Sequence, residues 1–218
     1  MTSARSEKDN DPRVVDPDYD RHGGFPNFEA AQPGPGFGRF LAAMRRAQDL
    51  AVSADPDTDT WNEAADLAEN LVKLLDPFEA PEGVGPANRV PALPGSGSLL
   101  MPPYAVTKFE SDGVELTVQF SRFHVGGNYA VHGGVLPLMF DSMFGMVIHA
   151  SGRPISRTGF LHVDYRRVTP IDTPLTMRGW VDRTEGRKAF VKAELRDPDG
   201  NLLAEANGLM IRLLPGQP

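Results

Sequence analysis

The sequence predicts an α+β protein in which an antiparallel sheet is wrapped around a central helix, preceded by an N-terminal helical extension. Three patterns predict it. Two stretches before residue 80 carry apolar residues at three- and four-residue steps. After residue 100 the chain changes to apolar–polar alternation, the period of half-buried strands. Between two groups of such strands lies one stretch that is apolar on every side, as expected of a helix enclosed by a sheet.

Residues 1–36 are dominated by Asp, Pro, Gly, Asn and Arg and cannot offset their ordering entropy by burial, so they read as a mobile tail. Tyr19, Phe25 and Phe28 are the residues able to pin part of it. Residues 37–80 form the expected helical hairpin. Its first helix, Phe37 to Ser53, has the stripe Phe37, Phe40, Leu41, Met44, Ala47 and Ala51. The second opens on Thr60 as N-cap with Glu63 three residues on, carries Trp61, Ala64, Ala65, Ala68, Leu71, Leu75 and Phe78, and is ended by Pro77 and Pro81. Residues 81–100 are rich in Pro, Gly and Ser and read as a linker to the domain at 101–218. The hairpin is expected to pack across the sheet or over the substrate entrance.

In that domain Tyr104, Val106 and Phe109 mark a first strand, and Val114, Leu116, Val118 and Phe120 a second. Four more follow: Phe160 to Val168, Leu175 to Arg183, Ala189 to Arg196 and Leu202 to Leu213, with Asp197-Pro198-Asp199-Gly200 as a hairpin turn. The central helix spans Gly133 to Ala150.

Composition narrows the partners. Of 218 residues, 40% are hydrophobic and 23% charged, enough for a sizeable core. Lys and Arg number 22 against 29 Asp and Glu, a net charge of −7 that offers nucleic acid no general basic footprint. There is no cysteine, hence no disulfide, thiolate metal site or cysteine nucleophile, and the cytoplasm is the expected compartment. Neither a signal peptide nor a membrane span is expected. The five histidines show no metal-ligand spacing, so no metal is expected, and no nucleophile elbow or dinucleotide loop is present.

The chemistry concentrates on the central helix. Asp141 is the only ionisable residue from Gly133 to Ile148, and a carboxylate among apolar neighbours costs several kcal/mol unless paired, solvated or protonated. It is either a solvent-facing or hydrogen-bonded structural residue, or a catalytic acid at the edge of an apolar pocket. His132-Gly133-Gly134 removes side chains at the helix entry and Pro137 leaves the opening amides free of the helix ladder. Such amides polarise a carbonyl, although two glycines also simply permit a tight entry. Gly134 and Asp141 are seven residues apart, roughly 10 Å at ~1.5 Å per residue. One substrate carbonyl does not easily touch both, which predicts a symmetric dimer whose site takes one feature from each subunit.

The run His132 to Asp141, followed by Gly145, resembles the signature of hotdog-fold acyl-CoA thioesterases of the phenylacetate-pathway and 4-hydroxybenzoyl-CoA thioesterase superfamily. The similarity continues through Thr158 to Arg167, Glu185 to Lys188 and the Asp199-Gly200 turn, about residues 104–213. The resemblance implies a hotdog fold, a homodimer or dimer of dimers, and hydrolysis of an acyl-CoA thioester to acid and free CoA, with no cofactor since CoA is part of the substrate. It implies Asp141 as nucleophile or general base, the Gly134 amide as the carbonyl's donor, His132 and Gly133 as shapers of the loop, and Thr158 as an orienting hydroxyl. Relatives carry an amide side chain six residues before the His; here that position is Gly126, with Asn128 four before. Arg166, Arg167, Arg187 and Lys188 are the candidates for the CoA phosphates, and Leu138, Met139 and Phe144 for an acyl chamber. The alternatives are a non-catalytic acyl-CoA or lipid binder and a hydroxyacyl-thioester dehydratase.

Overall fold

The computed structural model describes residues 30–81 and 83–214. Tyr19, Phe25, Phe28 and most of the expected tail lie outside them. Helix α1, Pro35–Ala51, begins two residues earlier than its apolar stripe suggests, because Pro35 takes the first helical position, where its fixed φ suits the helix and its missing N–H costs nothing. α1 buries Leu41 against the body of the molecule. Helix α2, Thr58–Leu75, is capped by Asp57, whose side chain accepts from the Thr60 amide at 2.9 Å. The expected Thr60 cap is thus displaced by an acid three residues earlier, and Thr60 sits in the first turn. No residue of α2 is buried: Trp61, Leu67, Val72 and Leu75 are exposed, as is Phe78 just beyond its end, so this helix does not pack across the sheet.

The domain that follows is one six-stranded antiparallel sheet and a helix. Strands β1 (Tyr104–Glu110) and β2 (Gly113–Gln119) lead to a two-stranded ribbon, β3 (Val125–Gly127) and β4 (Ala130–Val131). Helix α3, Val135–Ala150, comes next, then β5 (Ser156–Tyr165), β6 (Pro174–Glu185), β7 (Lys188–Arg196) and β8 (Leu202–Arg212). The order across the sheet is β1-β2-β6-β7-β8-β5, so the strand leaving the helix becomes the far edge. The β3–β4 ribbon has no counterpart in the sequence expectations. It is too short to show alternation, and its turn is made by Asn128 and Tyr129, both in the left-handed region.

The core is the concave face of this sheet closed on α3. Val114, Leu116 and Val118 of β2, Leu175 and Met177 of β6, Val191 and Leu195 of β7 and Met210 of β8 pack with Leu136, Met139, Phe140, Met143, Phe144 and Val147 of the helix. Two glycines let the helix nest this closely. A Cβ on Gly179 meets Met143 at 2.7 Å, and one on Gly208 overlaps the Phe144 ring. Met139 and Phe144, expected in an acyl chamber, are fully buried core. The enclosure is incomplete. Between edge strands β1 and β5 the helix shows a stripe, Asp141, Gly145 and His149, at helical spacing.

Candidate functional site

The local structure around Asp141 is set by a bulge in β5. Thr158 pairs with Met210 and Phe160 with Leu209, so the register slips at Gly159. Strict alternation would put Thr158 and Phe160 on one face; the extra residue turns Phe160 outward and leaves Thr158 facing the helix. Its hydroxyl then donates to Asp141 Oδ1 at 2.7 Å. Thr158 and Asp141, seventeen residues apart in sequence, are therefore one constellation. Asp141 is not the buried charge that the apolar helix implies: its side chain lies on the open stripe and is exposed. The physical reason is that the sheet stops short of this face, so water supplies the solvation. Among the described residues no Lys or Arg forms an ion pair with it, and one carboxylate oxygen is left for another partner.

The helix entry differs from expectation in one respect. Gly134 is the N-cap of α3, but its amide already donates to His132 Nδ1 at 3.0 Å, and the Val135 amide donates to the His132 carbonyl at 2.9 Å. The amide offers itself to a ligand only by exchanging that acceptor. His132 must carry its ring proton, if neutral, on Nε2. The loop is fixed from two sides: the His132 amide donates to the His124 carbonyl at 2.8 Å, and the Tyr165 hydroxyl donates to the Gly133 carbonyl at 2.8 Å. His132, Gly133 and Gly134 are all exposed. Tyr165 is a site residue that the alternation of β5 conceals, since only the fold brings its hydroxyl to the helix entry.

Asn128 sits in the β3–β4 turn, exposed, with φ 48°. Gly126, the position where the resemblance implies an amide side chain, leaves no room for one: a Cβ there lies 2.8 Å from the His132 Cα.

The four basic residues do not form one patch. Arg166 and Arg167 follow the end of β5, whereas Lys188 pairs with Ile211, which also faces Arg157 near the start of β5. The two pairs therefore lie at opposite ends of a strand about 30 Å long at ~3.3 Å per residue. Arg166 is engaged by Glu205 at 2.7 Å and Asp164 at 3.5 Å, and the Glu205 hydrogen bond holds its guanidinium above its ordinary value. Arg187 has a buried Nη1 without a hydrogen-bond partner among the described residues, and its carbonyl accepts from the Arg212 amide at 3.0 Å. Among the described residues no helix is long and apolar enough to cross a membrane.

Residues 128–204 match the thioesterase superfamily, a segment that opens at Asn128 and includes His132, Asp141 and Thr158. The chain is 32% identical over 89 residues to acyl-coenzyme A thioesterase THEM4 of Rattus norvegicus, covering 40% of this chain and 38% of that protein. It is 34% identical over 86 residues to the Xenopus laevis protein of the same name, covering 38% of each. The match thus spans well under half the length of these relatives. A crystal structure described as a thioesterase superfamily protein superposes with a TM-score of 0.70 at 26% identity, over 84% of this chain and 98% of that one. That likeness extends well beyond residues 128–204.

Proposed function

We propose, from a chain that carries a hotdog domain of the thioesterase superfamily, that it hydrolyses acyl-CoA thioesters with Asp141 as the reacting carboxylate. The observation that carries this reading is the 2.7 Å hydrogen bond from Thr158 to Asp141 Oδ1 in the gap between the sheet edges. A hydroxyl held there orients the carboxylate and leaves Oδ2 directed to water or substrate. In the general-base route Oδ2 takes a proton from water as the water oxygen adds to the thioester carbon. The carbonyl oxygen becomes an oxyanion, the C–S bond breaks, and the proton passes to the departing CoA thiolate, leaving free acid and thiol. In the nucleophilic route Oδ2 adds to the thioester carbon, the C–S bond breaks to expel the CoA thiolate, and water then cleaves the mixed anhydride, regenerating the Asp141 carboxylate, releasing the acid and supplying the thiolate's proton.

The oxyanion needs donors. The Gly134 amide supplies one if the carbonyl oxygen replaces His132 Nδ1 as its acceptor, favoured by the positive end of α3. Since Gly134 and Asp141 of one helix are roughly 10 Å apart at ~1.5 Å per residue, the reading takes Gly134 from a second copy of the chain. The ten-residue β5 supports this, because among the described residues it is an edge strand that pairs only with β8, and its Phe160 is exposed. The cytoplasm remains the proposed compartment, and Arg187 with Lys188 the better-placed pair for the CoA phosphates, near Thr158 rather than at the far end of β5.

The test is thiol release from a panel of acyl-CoAs. The wild-type chain releases CoA, and Asp141→Asn loses about 10²- to 10⁴-fold in kcat with an unchanged melting temperature. Full activity in that variant rejects the assignment. Stabilisation by acyl-CoA without CoA release makes the chain a binder, and conversion of a 3-hydroxyacyl-CoA to the enoyl form makes it a dehydratase.

A further inference from the structure

A groove of about 970 Å³ runs along the open stripe of α3, away from Asp141 and toward the helix C-terminus. One wall is the helix, at Gly145, Met146 and His149. The opposite wall is the inner face of edge strand β1. Tyr104, Val106 and Phe109 pair with Val118, Leu116 and Val114, which are buried against the helix, so the β1 side chains face the same way. Phe109 closes the far end against His149, ring centroids 5.7 Å apart. The third wall belongs to neither element: it is formed by residues between Asn88 and Ser96, Leu93 among them.

That segment precedes the residues matched to the superfamily, and the N-terminal helix holds it in place. Arg45 of α1 donates through Nη1 to the Met101 carbonyl at 3.0 Å, and through Nη2 to the carbonyls of Ser98 at 2.6 Å and Pro94 at 3.3 Å. Three carbonyls of one irregular stretch thus converge on one guanidinium. A Cβ on Gly38 would lie 3.3 Å from Leu93, so α1 also backs that side chain directly. The segment ends beside the reacting acid: Ser142, next to Asp141, donates its hydroxyl to Met101 Sδ at 3.4 Å. From Asp141 to His149 the helix rises ~12 Å at ~1.5 Å per residue.

We propose that residues 88–104, clamped by Arg45, are the specificity wall of an acyl groove, and that this groove takes a medium-length apolar acyl tail. The inference rests on the thioester reading of Asp141 and adds the substrate class. A tail leaving a carbonyl at Asp141 passes Gly145, where an added Cβ would meet nothing within 4 Å, and ends among Met146, Phe109 and His149. The lack of a side chain at 145 keeps the groove open next to the reacting centre. Arg45 is a positioning residue: it touches the wall and not the tail.

The experiment compares kcat/KM for octanoyl-CoA and butanoyl-CoA. Gly145→Leu puts a branched side chain into the open space beside position 145, and the octanoyl-to-butanoyl ratio falls about ten-fold or more. Arg45→Ala lowers the same ratio by releasing the wall, and Arg45→Lys restores part of it; circular dichroism checks that each variant is folded. A ratio unchanged in Gly145→Leu overturns the proposal. If the wild-type chain hydrolyses neither ester, the thioesterase reading has failed, and calorimetry with octanoyl-CoA and CoA alone decides the groove separately. Tighter binding of octanoyl-CoA than of CoA, lost in Gly145→Leu, supports it; equal binding of the two overturns it.

Discussion

Thr158 illustrates how one residue's role follows from a backbone irregularity rather than from its type. Its hydroxyl reaches Asp141 only because the Gly159 bulge reverses the faces of β5 beyond it. Thr158→Val keeps the shape and removes the donor, so kcat falls about ten-fold or more while Thr158→Ser retains most activity. Steady-state kinetics on both variants checks this. His124 is a second residue whose setting the sequence hides. It is buried between Phe120 and Phe123, at centroid distances of 5.8 and 5.6 Å, and its Nδ1 accepts from the Ser121 amide at 3.0 Å. Burial holds its imidazole below the ordinary value of 6.5. The unfolded chain therefore binds more protons in mild acid, so stability is full above about pH 6.5 and declines as the pH falls toward the folded value. Melting temperature against pH shows that decline, and His124→Asn, which keeps an acceptor near Nδ1 without the titrating ring, flattens it.

At the level of elements, α3 is held by the places where strands give way to it. Gly208 on β8 admits the Phe144 ring, and its added Cβ would also lie 2.6 Å from the Phe160 carbonyl. Because backbone sits on one side and a packed ring on the other, Gly208→Ala costs about 1–3 kcal/mol, as overpacking does, read as a lower denaturant midpoint. Gly145→Ala, on the open stripe of the same helix, is neutral or stabilising by the same measurement, because helix propensity favours it and nothing lies in its way. The alternating strands and the apolar helix were legible because each repeats its period over many residues. Asp57 as the cap of α2, the β3–β4 ribbon and the earlier start of β5 were not, since each depends on a few residues with no period to count. α1 was legible as a helix but not as a clamp: nothing in the pattern of Arg45 distinguishes it from Arg46 until the linker carbonyls are placed around it.

For the whole molecule, the proposed second copy is tested through the open gap on α3 and β5, which among the described residues pairs only with β8. If activity requires Gly134 from a partner, specific activity declines on dilution below the dimer's Kd. Phe160→Lys, a charge on the exposed edge strand, then lowers dimer mass in sedimentation and activity together; a fully active monomer overturns the shared site. The acidic chain, the helix with one carboxylate, the His-Gly-Gly entry and most of the strands all followed from local chemistry, because composition, period and turn residues act through near neighbours, whereas the order of the strands across the sheet did not. The sequence by itself therefore determined the kind of fold and singled out Asp141 as the one carboxylate on its central helix. Only the tertiary structure decided that Asp141 is solvated rather than buried, that Thr158 is its partner, that the basic residues stand at opposite ends of β5, and that an N-terminal arginine shapes the wall beside the site. Those outcomes depend on where a sheet ends and which distant carbonyls converge, distances set by long-range packing that no local pattern encodes.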